Sequence, residues 1–129
     1  MLLIGDKVIT RTPDPTVYTH QLDLGQAWRE ISGAPFVFAT WMTPAGADLG
    51  DLPRRLDQIR RDNRRRIAEI VARHAGPAGW PEELALSYLS TNLTYDLGPR
   101  EIAGMEEFWR LCREHKLIDE LRPMRLYGV

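Results

Sequence analysis

Cysteine is nearly absent from this chain of 129 residues: Cys112 stands alone, so no internal disulfide can form and nothing points to an oxidising compartment. A reducing cytoplasm is the expectation. An excess of charge of either sign is also lacking. Lys and Arg number 17 against 18 Asp and Glu, a formal charge of -1, which leaves no overall field to draw in nucleic acid or an anionic membrane. No apolar run approaches the length of a membrane span. The opening Met1-Leu2-Leu3-Ile4-Gly5-Asp6 has neither the basic residues nor the long apolar stretch of a signal peptide, so neither export nor embedding is expected. Histidine is sparse, and His20, His74 and His115 lie far from one another and from Cys112, which argues against a metal site. Internal repeats, low-complexity tracts and a nucleotide-type glycine pattern are missing too.

What is present suits a globular protein. The 43% hydrophobic and 27% charged residues lie in the ordinary range, and the length suits one domain or part of one. Leu2–Ile4 and Val8–Thr10, around Gly5-Asp6, read as a strand, a turn and a second extended piece. Thr12-Pro13-Asp14-Pro15-Thr16 is a loop, because each proline removes a donor and holds the residue before it extended. From Asp23 to Ser32, Leu24, Ala27, Trp28 and Ile31 recur at helical spacing, with Asp23 as cap and Gly33 as stop. Pro35 to Met42 is apolar without alternation and rich in aromatic and β-branched types, which reads as a strand buried on both faces.

After a linker of small residues from Pro44 to Gly50, the positions Leu52, Leu56, Ile59, Asn63, Ile67, Ile70, Val71 and His74 predict one long helix. Gly76-Pro77-Ala78-Gly79 ends it. Pro81 and the carboxylates of Glu82 and Glu83 open another helix, whose stripe is Leu84, Ala85, Tyr88 and Leu89. Thr94–Gly98 is a turn. Pro99-Arg100-Glu101 starts a last helix with Ile102, Met105, Phe108, Trp109 and Cys112 on its apolar face. Helices are plentiful, but a doubly buried strand needs neighbours on both edges, and only the amino-terminal pieces are on offer. Sheet partners are therefore expected from a second copy of the chain or from a segment preceding this one.

Few residues suggest chemistry. Asp6 follows an apolar strand, where ligands sit in open α/β folds, yet a Gly-Asp turn is the plainer reading. Arg11 could hold a carboxylate by a two-pronged contact, or simply be solvated. Arg54, Arg55, Arg60, Arg61, Arg64, Arg65, Arg66 and Arg73 make the long helix basic. They are interspersed with Asp57, Asp62 and Glu69 at helix-neighbour spacing and with no aromatics, which favours a solvated, self-paired face over a nucleic-acid surface. Cys112 reads as a core residue, and Ser32, Ser87 and Ser90 lack the setting of a nucleophile. Trp28, Trp80 and Trp109 read as core; Trp41, ending the buried strand, is the one tryptophan placed to wall a pocket.

Three blocks resemble the chorismate dehydratases of the futalosine route to menaquinone. They are Leu2-Leu3-Ile4-Gly5-Asp6; Asp23-Leu24-Gly25-Gln26-Ala27-Trp28-Arg29-Glu30 with Gly33-Ala34-Pro35-Phe36-Val37-Phe38-Ala39-Thr40-Trp41; and Tyr88-Leu89, Asn92-Leu93-Thr94-Tyr95-Asp96-Leu97-Gly98, Gly104-Met105 and Phe108. Their order and spacing span nearly the whole chain. A sister family acting later in the same pathway has a similar fold and a less similar helical tail. The resemblance implies a fold like the type II periplasmic binding proteins, two α/β lobes around a ligand cleft, in a family whose members are about twice this length. On that template the chain is a helix-rich α/β fragment. Residues 1–34 would end the second lobe, residues 35–43 would be the crossover strand, and residues 44–129 would be the helical carboxyl-terminal part of the first lobe. The implied reaction removes water from chorismate and leaves an enolpyruvyl-substituted benzoate, with no metal or organic cofactor.

On this reading the chain is part of a chorismate dehydratase, inactive alone, with its decisive groups in an amino-terminal half. Gly5 and Asp6 are the substrate-binding candidates, Gly5 by close backbone approach. Expected partners are chorismate as substrate, the missing half or a second copy through the exposed strand, and neither nucleic acid nor membrane. The alternatives are a non-catalytic module binding small carboxylates and a helical interaction protein using its arginine-rich face.

Overall fold

The computed structural model describes residues 1–5, 7–10 and 13–127. In chain order the elements are α1 (Lys7–Thr10), α2 (Leu24–Ser32), α3 (Leu52–Arg65), α4 (Ile67–His74), α5 (Glu82–Ser87), a π-helical turn (Tyr88–Asn92) continuing α5, and α6 (Pro99–Glu114). They form two compact units: Met1–Gln21 with Asp51–Tyr95, and Leu22–Gly50 with Asp96–Val129.

In the first unit the core is small and aliphatic. Val71 of α4, Ala75 at its end and Ala85 of α5 are buried, with Ile67, Trp80 and Leu89 packed around them. The loop between α4 and α5 closes on itself, since Trp80 N–H donates to the Ala75 carbonyl at 2.9 Å. Proline at position 81 then frees no extra donor at the start of α5, and Glu82 and Glu83 lie near its positive end. The expected single long helix is divided at Arg66, whose backbone (φ -117, ψ 20) leaves the helical region and whose N–H bonds back three residues to Asn63. No glycine or proline lies there, and nothing in the residue types requires the break.

The second unit is built from segments distant in sequence. α2 starts where it should: the Asp23 carboxylate accepts from Gln26 N–H at 2.7 Å, and Gly33 stops the helix in the left-handed region (φ 69). α6 begins at Pro99, and Glu101 reaches back to accept from Gly98 N–H at 3.0 Å. Between the two helices lies a cluster of rings. Trp28 meets Phe108 edge-on at 5.4 Å, Phe36 meets Phe108 at 5.3 Å and Phe38 at 5.0 Å, and the Trp28 indole N–H donates to the Pro35 carbonyl at 3.2 Å. Gly104 of α6 is buried against the same carbonyl. A Cβ there would lie 2.5 Å from Pro35 O, so only glycine lets α6 approach so closely.

Several further expectations change. No strand occurs among the described residues, so the chain as described is helix-rich without a sheet. Val8–Thr10, expected extended, belongs to α1, and Leu2–Ile4 and Phe36–Met42 pair with nothing. A helix satisfies its backbone within its own residues, whereas a strand exists only with a neighbour, and the described residues supply none to Phe36–Met42. That segment is not buried on both faces either. Phe36 and Val37 are half-buried, but Phe38 is 72%, Trp41 88% and Met42 90% exposed. On α2, Leu24 and Ile31 of the expected buried stripe likewise face water.

Candidate functional site

The predicted substrate-binding pair is described only in part. Asp6 lies outside the described residues, as does Arg11. Gly5 sits in a left-handed turn (φ 67), with its carbonyl accepting from Val8 N–H at 3.0 Å ahead of α1. Its conformation accounts for a glycine there, since a side chain at that φ is strained. Gly5 lines neither of the concavities described next.

The first concavity, about 120 Å³, lies in the first unit beside the π-helical turn and is lined by Arg64, Ile67, Leu89, Ser90, Thr91, Leu93, Thr94 and Tyr95. The turn is closed by Leu93 N–H donating to the Tyr88 carbonyl at 3.1 Å, while Ser90 Oγ donates to the Leu86 carbonyl at 2.6 Å. Such a hydroxyl competes for the helix's own acceptors, and π turns recur at functional sites. Burial, followed by the neighbouring Tyr88, pushes the Tyr95 phenol above its ordinary value, so it stays a neutral donor. The second concavity, about 170 Å³, lies between α4 and α5 and is lined by Ala68, Val71, Ala72, Glu82, Glu83 and Leu86. Small-molecule pockets usually start near ~300 Å³, so each is too small to enclose a ring bearing two carboxylates.

The arginine face is largely self-paired. Arg54 bonds Asp51 at 2.7 Å, Arg60 and Arg61 share Asp57 at 2.8 and 2.7 Å, Arg65 reaches Asp62 at 3.7 Å, and Arg66 holds Glu69 at 2.9 Å. The Arg60 hydrogen bond, ahead of the Arg61 charge, holds the Asp57 carboxyl below its ordinary range. Carboxylates already held by these arginines dilute any field offered to a polyanion, which removes the main support for the helical-interaction reading.

Other singled-out residues have structural employment. Ser32 Oγ donates to the Trp28 carbonyl at 2.7 Å and accepts from Ala34 N–H at 3.1 Å, fastening the end of α2. Cys112 is half-buried on α6, as expected of a packing residue, and Trp28, Trp80 and Trp109 are half-buried too. Trp41 walls neither concavity. His20, His74 and His115 are exposed, and no group of three metal-binding side chains occurs among the described residues. No helix among them is long and apolar enough to cross a membrane. The concavity at the π turn went unread in the sequence; its only signal was Ser90-Thr91-Asn92, residue types able to bond back to helix carbonyls as Ser90 does, at the end of an apolar stripe.

The three blocks that resemble one family thus fall on three described features: the Gly5 turn, the α2–Phe38 aromatic cluster, and the π turn with the start of α6. A family model for menaquinone biosynthesis matches residues 1–114. The chain belongs to that family. No curated protein and no solved structure matches it. Family membership covers the turn, the aromatic cluster and the whole of α6, and stops short of the tail in which Tyr127 OH accepts from Leu49 N–H at 3.1 Å.

Proposed function

We propose that this chain is the carboxyl-terminal part of a chorismate dehydratase, converting chorismate to 3-(1-carboxyvinyloxy)benzoate only together with an amino-terminal half. The observation that carries this reading is the family match over residues 1–114, taken with two concavities among the described residues that are each too small for the substrate. The elimination needs a base for a ring proton, a donor to the departing hydroxyl, and cations or N–H groups for two carboxylates. Among the described residues no such set converges. Gly5 and Asp6 would stand at the edge of the substrate cleft, with the decisive groups across it.

Exposed Phe38, Trp41 and Met42 support the same reading, because surface of that kind in one stretch marks an interaction site. On the two-lobed template, residues 1–34 end the second lobe, residues 35–43 cross back, and residues 44–129 cover the first. The chain alone is then expected to leave chorismate untouched. Mixed with, or fused to, the amino-terminal half of a dehydratase of the same family, it should yield the enolpyruvyl benzoate, followed by chromatography with ultraviolet detection. Product from the chain alone, or none from the combination, would contradict the proposal.

A further inference from the structure

The segment from Phe36 to Met42 has a property beyond its exposed side chains. It is irregular rather than helical, lies between Pro35 and Pro44, and none of its backbone N–H or C=O groups has a hydrogen-bond partner among the described residues. Phe36 anchors one face against Trp28 and Phe108, and Phe38 rests on Phe36 beside Gly25. In a strand the next face would carry Val37, Ala39 and Trp41, of which Ala39 and Trp41 are exposed. The edge is thus held in place by rings on one side and left open for a ladder.

Three facts select the occupant. Unpaired donors and acceptors in a run that is neither helix nor turn are matched by another such backbone rather than by a helix, whose groups are already used. The segment contains no charged residue and no interior proline, so none of the usual devices that blunt an edge is present and no charged partner is favoured. Its mixture of aromatic and small side chains calls for an apolar, uncharged strand, and the longest such stretch outside the helices is this segment itself. We propose that, without an amino-terminal half, Phe36–Met42 pairs edge to edge with the same segment of a second copy, antiparallel about a two-fold axis. Each copy then supplies the ladder the other lacks.

The test uses the full chain: sedimentation over a range of concentrations, with amide hydrogen exchange read at residues 36–42. The wild type should self-associate as concentration rises, and exchange in that segment should slow in step. Ala39→Pro removes a ladder donor, and Trp41→Lys sets like charges near each other across the axis at a side chain already in water. Each should weaken association at least about tenfold, equivalent to ~1.4 kcal/mol, without changing the helical circular dichroism. A chain that stays monomeric at high micromolar concentration overturns the proposal. So does association that leaves residues 36–42 exchanging freely or ignores both substitutions. Failure here leaves the dehydratase reading standing, because that reading is judged on product formation with the other half.

Discussion

The unit built on Asp51–Tyr95 and the unit built from Leu22–Gly50 with Asp96–Val129 close their cores in different ways. The first packs neighbouring helices over short connections, and its central residues are small and aliphatic: Val71, Ala75 and Ala85, all 5% exposed. The second joins segments far apart in sequence through rings and one glycine. Gly104 is buried, but Trp28 and Phe36 are only half-covered, and Phe38, Trp41 and Met42 stand in water. Local helices finish their own packing. A cluster of rings around an unpaired, irregular segment does not, and what it leaves open is what a partner would cover.

Substitutions in the two cores should sharpen this contrast. Phe36→Ala is expected to cost the most, about 3 kcal/mol, because one side chain meets Trp28, Phe38 and Phe108; urea unfolding would measure it. Val71→Ala should cost less, about 2 kcal/mol, since the cavity is small and lies between α4 and α5. If the units unfold separately, Trp80 fluorescence should follow Val71→Ala, and the Trp28 and Trp109 signals should follow Phe36→Ala. Identical responses from all three would erase the distinction. Gly104→Ala should lose about 1–2 kcal/mol despite alanine's better helix propensity, because the atom it would meet is the Pro35 backbone carbonyl.

The smallest effect is electrostatic. Arg60 and Arg110 hold the carboxyls of Asp57 and Glu107 below their ordinary values of 3.8 and 4.5 through direct hydrogen bonds. A carboxylate depressed in the folded state stabilises fully above its unfolded value and loses that contribution as pH falls through the lower, folded one. Helix content should therefore fall slightly on acidification below about pH 4, an effect weakened by salt because both groups are exposed. Asp57→Asn should flatten part of that acid limb in circular dichroism; an unchanged limb would show that the pair contributes nothing.

Most helices could be read from residues alone because each carries its own evidence. Asp23 and Gly33 bracket α2, and proline with an acidic first turn opens α6. The division at Arg66 could not be read, since arginine is a good helix former and the apolar spacing runs through it unbroken. The π turn at Tyr88–Asn92 escaped for a related reason: its apolar residues fit an ordinary helix, and the widened hydrogen bond from Leu93 to Tyr88 leaves no mark on the spacing. Phe36–Trp41 was legible as a segment wanting sheet neighbours and left exposed without them, but its expected burial on both faces did not follow, because burial of a strand is a property of the neighbours it has. Of the candidate site, Gly5 proved legible as a turn, while Asp6 lies outside the described residues.

Amide hydrogen exchange on the dilute chain, resolved residue by residue and repeated after addition of a dehydratase amino-terminal half, tests the central claim most directly. The account predicts slow exchange around Val71, Ala75 and Ala85 from the start, and fast exchange from Phe36 to Met42 that slows once the other half is present. Slow exchange from Phe36 to Met42 in the dilute, monomeric chain would mean that these residues already have their neighbours, and the case for a missing partner would fail.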